Sequence, residues 1–289
     1  MKRKPPRAEA FSFPYPTSLL EGCSNVRVVI LDSTEEVSRF AADQVARAMQ
    51  RARETGKSPV LGLATGGTPL GLYNELIQRY RDGALSFADV CSFNLDEYVG
   101  LPPEHDQSYH YYMKESLFRH IDIRTENTSV PQTWKCDLPA SAEAYEAKVR
   151  SAGGIDLQVL GIGTDGHIGF NEVGSSLASR TRLKTLTRQT RSDNARYFAS
   201  IDEVPIAAIT MGIATILEAR SILLLATGAN KAKAVAGCVE GAVSSGLPAS
   251  ALQLHPNVTI VVDRFAASQL HHAEYYEDSE RVRAKLQPA

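Results

Sequence analysis

The sequence predicts an α/β fold, a mainly parallel sheet with helices on both faces, and three observations carry that reading. Short apolar runs of strand length recur along the chain, helical patterns lie between most of them, and the runs are continuous instead of alternating. Continuous runs mark strands buried on both faces, and intervening helices supply the covers.

Residues 1–24 are rich in proline and charge and show no clear period, so they are expected to form an N-terminal extension, disordered or laid on the surface. One α/β domain is expected over 25–289. Its first strand is the β-branched run 26–32. Ser33 and Glu36 then make a capping box that opens a helix running to about Glu54, before Gly56. A second strand at 60–64 leads to a helix with Pro69 in its first position, where the missing N–H costs nothing. The third strand occupies 90–95. Further strands are expected at 157–162, Ala207–Thr210, Ile222–Ala226 and 258–262, and all are counted toward the parallel sheet. In such sheets ligands bind outside the carboxyl ends of the strands, so the residues just after each strand are the informative ones.

Composition narrows the function classes. With 43% hydrophobic and 22% charged residues over 289 positions, the chain has ample material for a core. A net charge of -2 gives no general attraction to nucleic acid or to an anionic membrane, so any anion site is local. Cys23, Cys91, Cys136 and Cys238 form no CxxC pair and are read as reduced thiols of a cytoplasmic protein. The basic start is followed by no apolar leader core, and the longest apolar stretches, such as Ile222–Ala226, are far short of a membrane span.

Three loops carry chemistry. Thr65-Gly66-Gly67-Thr68 links the second strand directly to a helix. Glycines let backbone wrap an anion, and free amides at a helix start favour phosphate; a tight turn without ligand would look the same. It is not a Walker loop, because the only Gly-Lys-Ser, Gly56-Lys57-Ser58, precedes a strand. After the third strand come Asp96 and Glu97. Successive strand residues point to opposite sides, so the two acids are not expected to share one small substrate.

The segment 161–172 concentrates Asp165, His167, Glu172 and four glycines. Gly161, Gly163 and Gly166 fit a dinucleotide fingerprint, yet the continuation is not helical, and Arg182 and Lys184 stand where an acid for the ribose is needed. Asp165, His167 and Glu172 as metal ligands match no familiar spacing. A histidine oriented by carboxylates, moving protons, fits better. Two cations complete the set: Arg196 in an expected helix over 191–198, and Lys231 at the start of the helix after Ile222–Ala226. There its charge opposes the helix dipole and invites an anion.

With these loops in place, the chain resembles the glucosamine-6-phosphate deaminase family from about Val26 to about Pro256. The matching segments are Thr-Gly-Gly-Thr-Pro at 65–69, Ser-Phe-Asn-Leu-Asp-Glu-Tyr-Val-Gly-Leu at 92–101, and Asp-Gly-His-Ile-Gly-Phe-Asn-Glu at 165–172. Ser-Leu-Ala-Ser-Arg-Thr-Arg-Leu-Lys-Thr-Leu-Thr at 176–187 and Leu-Gln-Leu-His-Pro at 252–256 complete them. The resemblance implies a modified Rossmann-like fold and conversion of glucosamine 6-phosphate and water to fructose 6-phosphate and ammonia, with no cofactor and no metal. It implies Asp96 as the base for proton transfer, and His167, supported by Asp165 and Glu172, as the group that opens the sugar ring. Thr65, Gly66, Gly67, Thr68, Arg196 and Lys231 would hold the phosphate. Relatives commonly form hexamers, so a homo-oligomer is expected, and the segment 182–205 would be a lid. Some relatives respond to N-acetylglucosamine 6-phosphate, for which the matching positions are Ser175, Arg182 and Lys184.

The chain departs from the family pattern at its extension before Val26 and in its tail. There Tyr275, Tyr276 or neither matches the effector-site tyrosine, and Val173 replaces a common proline. The nearest rival, 6-phosphogluconolactonase, shares a Gly-x-Asp-Gly-His loop but continues toward Thr-Ala-Ser-Leu-Phe-Pro, unlike residues 168–172 here. A non-catalytic sugar-phosphate sensor would need a DNA-binding module, for which 1–24 is too short.

Overall fold

The computed structural model describes residues 26–286; the extension expected at 1–24 lies outside the described residues. The chain runs β1 (Arg27–Leu31), α1 (Thr34–Glu54), β2 (Val60–Leu63), α2 (Pro69–Arg81), β3 (Cys91–Asn94), β4 (Asp96–Tyr98), α3 (Tyr109–Ser116), β5 (Thr128–Ser129) and α4 (Leu138–Ser151). It continues with β6 (Leu157–Leu160), β7 (Arg182–Thr185), α5 (Arg188–Asn194), β8 (Ala207–Thr210), α6 (Ile213–Leu217), β9 (Ile222–Ala226), α7 (Ala232–Glu240), β10 (Val258–Asp263) and α8 (Ala273–Leu286). The expected helix start at Ser33 is present, with its hydroxyl accepting the Glu36 N–H at 3.2 Å. The Glu36 carboxylate reaches back to the Asp32 N–H at 2.9 Å, one residue earlier than a capping box requires.

Seven strands form one parallel sheet in the order β1-β10-β9-β6-β2-β3-β5. Alternate side chains of each strand enter two separate cores. Leu224, Ile260 and Val262 join Tyr145 and Val149 of α4 and Val235 of α7 on one face. Leu223, Leu225 and Val261 join Val37, Ala41, Val45 and Met49 of α1 and Leu72 and Leu76 of α2 on the other. Helices therefore cover both faces, as the unbroken apolar strands require. Mid-sheet, Gly62 leaves room for the buried Gln158 amide, since a Cβ at 62 would stand 2.1 Å from its Oε1. Among the described residues no helix is long and apolar enough to cross a membrane.

One expectation needs correction. Ala207–Thr210 is a strand, but β8 lies in a second, antiparallel sheet of order β4-β8-β7. Its apolar residues are buried like those of the main sheet, so the two settings share one sequence pattern. Leu95 is the hinge between the sheets: its N–H donates to Leu63 of β2, and its carbonyl accepts from Met211 just beyond β8. The chain leaves the main sheet there, so Asp96 stands where the two sheets meet. Beyond β8, Gly212 passes so close to Ser179 that a Cβ would lie 2.0 Å from its carbonyl oxygen.

Candidate active site

A cavity of about 270 Å³ opens at the carboxyl ends of the central strands, lined among others by Thr65–Thr68 residues, Asp96, His167, Arg196 and Lys231. In its wall the β2–α2 turn adopts φ +98° at Gly66, a conformation that favours glycine. Thr68, at the start of the 13-residue α2, makes no side-chain cap, leaving the helix end without one at the cavity wall. The helix expected over 191–198 ends at Asn194, so Arg196 follows α5 in the 3-10 turn Ala195–Tyr197, and Lys231 occupies the N-cap position of α7 without a side-chain cap. Burial lowers the pKa of Lys231, while the carboxylates of Asp193 and Asp165 oppose that shift. The result is a local cluster of cations and glycine-rich backbone in a chain of net charge -2.

Asp96, the first residue of β4 and only 5% exposed, also lines the cavity. Burial, with the charge of Glu97 behind it, pushes its pKa up to about 7, against smaller pulls from His167, the Thr210 hydroxyl and the Phe170 N–H. Glu97 does point the other way, as the strand period predicts. Its carboxylate accepts the N–H groups of Tyr98, Tyr109 and His110 at 2.8, 2.9 and 2.9 Å. Burial nonetheless raises its pKa to about 7.

His167 also lines the cavity, with Nδ1 2.7 Å from Asp165 Oδ1. A carboxylate only accepts, so Nδ1 carries the proton in this pair and Nε2 is the free ring nitrogen. The ring's hydrogen bond holds the Asp165 carboxyl down at about 2. Gly163 makes space for the pair, because a Cβ there would lie 2.3 Å from the imidazole. Glu172 is buried and accepts from the Thr187 N–H at 3.2 Å and its hydroxyl at 3.3 Å. Thr187 is the N-cap of α5, so Glu172 ties the histidine loop to the helix that precedes Arg196.

The ligand-capable atoms of Asp165, His167 and Glu172 lie within 4.8 Å of one another. They are already paired, Asp165 with His167 and Glu172 with Thr187, which suits proton handling. The dinucleotide reading of Gly161, Gly163 and Gly166 lacks its helix, since the next regular element is β7.

Residues 32–261 match the family described as glucosamine-6-phosphate isomerases/6-phosphogluconolactonase. The chain belongs to that family. The glucosamine-6-phosphate deaminase of Hahella chejuensis is 53% identical over 262 residues, 90% of this chain and 98% of that protein. The deaminase of Cellvibrio japonicus is 51% identical over 261 residues, covering 90% and 98% of the two chains. Among solved structures, a monomeric glucosamine-6-phosphate deaminase is 48% identical with a TM-score of 0.81, covering 84% of this chain and all of that one (100%). The 6-phosphogluconolactonase from Trypanosoma brucei, 21% identical with a TM-score of 0.70 over 85% of this chain and 98% of that one, shares the fold.

Eight of the residues singled out from the sequence line this family member's cavity: Thr65, Gly66, Gly67, Thr68, Asp96, His167, Arg196 and Lys231. Asp165 and Glu172, in the same loop as His167, are not among the lining residues. Ser175, Arg182 and Lys184 are not among the lining residues. Ser175 is buried, while Arg182 is partly buried and donates to Asn171 Oδ1 at 2.9 Å. Tyr276 donates to Glu240 at 3.2 Å, and Tyr275 is exposed beside it.

Sequence reasoning passed over Tyr109, Thr190, Asp193 and Asn230 in the wall, and Thr210 beside Asp96. Thr210 is the cross-strand partner of both Asp96 and Arg182, a relation that only strand pairing reveals. Asp193, three positions before Arg196, carried a readable signal in its spacing.

Proposed function

We propose that the chain is a glucosamine-6-phosphate deaminase, converting glucosamine 6-phosphate and water to fructose 6-phosphate and ammonia. The observation that carries this is one cavity holding a glycine-rich helix-start loop with two cations, a carboxyl-oriented histidine, and a buried carboxyl group poised near neutrality. Relatives near 50% identity over nearly their whole length bear the deaminase name.

In the reaction, the 6-phosphate lies on the Thr65–Thr68 loop residues, Arg196 and Lys231, a handle whose binding energy positions the distant reacting carbons. The ring opens when His167 passes protons between the anomeric hydroxyl and the ring oxygen, with Asp165 fixing its tautomer. Asp96 then removes the C2 proton, giving an enolamine, and returns a proton to C1, leaving a protonated imine at C2. Water adds to that carbon, and ammonia leaves with the C–N bond electrons, giving the ketone. A base near neutrality is suited to both taking and giving the proton. Closure of the segment 182–205 would keep bulk water from the enolamine.

The rival hydrolysis of a lactone needs no base to break a C–H bond. Purified protein given glucosamine 6-phosphate, with 6-phosphogluconolactone as counter-substrate, distinguishes them: ammonia from the first supports the deaminase, and hydrolysis of the second alone overturns it. Three finer readings accompany the proposal: activation by N-acetylglucosamine 6-phosphate through Ser175, Arg182 and Lys184, assembly as a homo-oligomer, and a cytoplasmic location. Activation surviving Arg182→Ala would reject the first. A monomer mass by light scattering, the state of the relative 48% identical to this chain, would reject the second.

A further inference from the structure

Glu97 is buried beside Asp96 yet turned from the cavity, and the deamination chemistry gives it no task. A carboxylate only 4% exposed is costly to bury unless its acceptors are filled, and here they are filled by backbone. Two of its three donors, Tyr109 and His110, are the first residues of α3, where N–H groups have no partner inside the helix. The Ser108 hydroxyl takes the next, from Tyr111, at 3.0 Å. The third donor, Tyr98, belongs to β4 itself. Glu97 thus pins the start of α3 to the strand that carries Asp96.

Helix α3 in turn braces the glycine-rich loop. The Tyr112 hydroxyl donates to the Gly66 carbonyl at 2.6 Å, and the half-buried Tyr109 bonds the Thr65 side chain while lining the cavity. A chain of contacts therefore runs from Asp96 through its neighbour Glu97 and α3 to the loop 65–68. An exposed serine or aspartate would serve to cap a helix. A buried glutamate adjacent to Asp96 does more, because it ties the strand that carries Asp96 to the helix that contacts the glycine-rich loop.

We propose that Glu97 is a positioning residue: by capping α3 it holds Tyr109 and Tyr112 against residues 65–68 and so sets the distance between the phosphate loop and Asp96. This rests on the reading of that loop as the phosphate seat. In Glu97→Gln one oxygen remains an acceptor, while the new amide turns a donor toward a backbone N–H.

The test uses the full-length protein, Glu97→Gln, Tyr112→Phe and the double variant. Binding of inorganic phosphate is measured by calorimetry, and KM and kcat for glucosamine 6-phosphate in parallel. Glu97→Gln is expected to weaken phosphate binding and raise KM together, by roughly tenfold, and Tyr112→Phe to do so more weakly. The double variant should be no worse than Glu97→Gln, because both changes cut one linkage. A lower melting temperature with phosphate affinity unchanged would overturn the proposal, as would independent, multiplicative effects in the double variant. Should Glu97→Gln fail to fold, unchanged phosphate affinity in Tyr112→Phe would overturn it alone. A wild-type protein that binds phosphate but releases no ammonia would sink the deaminase reading and leave this test intact. A wild-type protein that binds no phosphate would sink the inference itself.

Discussion

Replacing Asp96 by asparagine should make the protein inactive and, above neutral pH, more stable. The folded carboxyl is raised from 3.8 to about 7, chiefly by burial. Its favourable contribution is therefore complete below the unfolded value and is lost as pH rises through about 7. Three units at ~1.4 kcal/mol each put the cost of the buried charge near 4 kcal/mol at most. Asparagine escapes that cost but weakens the bonds from the Thr210 hydroxyl and the Phe170 N–H, a loss of about 2 kcal/mol. At pH 5 the unfolded carboxyl is already ionised while the folded one still holds its proton, which costs the wild type roughly 1.6 kcal/mol and nearly cancels that loss; at pH 8 the full cost leaves about 2 kcal/mol in favour of Asp96→Asn. Urea unfolding of both proteins at the two pH values measures the difference, and turnover should fall by ~10²-fold or more. A variant destabilised equally at both pH values would refute the reasoning, because the wild-type carboxyl would then carry no buried-charge cost.

Other consequences follow from the same geometry. Turnover by the wild type should rise with pH through about 7 as the buried carboxyl ionises, with an apparent value that belongs to Asp96 and Glu97 jointly; a rate flat from pH 6 to 8 would speak against Asp96 as base. His167→Gln should slow turnover by ~10²-fold or more while phosphate binding persists, and a parallel loss of both would make the residue structural. Gly163→Ala pushes a methyl into the imidazole and should lower kcat at least tenfold, by roughly the cost of a misplaced group; normal kcat would show that the loop yields. Gly62→Ala meets the buried Gln158 amide and should cost about 1–3 kcal/mol in unfolding free energy, measured in urea, with no change expected if that amide can turn aside.

Six of the seven main-sheet strands were legible because they lie in short, largely apolar runs, and such runs between helices admit few arrangements; β5, the two polar residues Thr128–Ser129, gave no such signal. The opposition of Asp96 and Glu97 was legible for a simpler reason, the two-residue period of a strand. The second sheet was not. Its strands β4 and β7 are three and four residues long and rich in charge, and β8 reads like any buried strand. Nothing local announces that the chain changes sheets at Leu95; that follows from pairing between residues more than a hundred positions apart. The site residues stood out because glycines, acids and a histidine crowd loops where packing has no use for them. Thr210 and Tyr109 escaped notice because a threonine in a strand and a tyrosine in a helix are ordinary until their neighbours are known.

The central claim is that the C2–H bond breaks on the way to ammonia, the step proposed for Asp96. Glucosamine 6-phosphate deuterated at C2 tests it most directly, with the product followed by NMR. The account predicts a ketose product in which every released ammonia is matched by deuterium lost from C2, to C1 or to water. Ammonia released with deuterium still on C2 would mean direct displacement without isomerisation, and would contradict it.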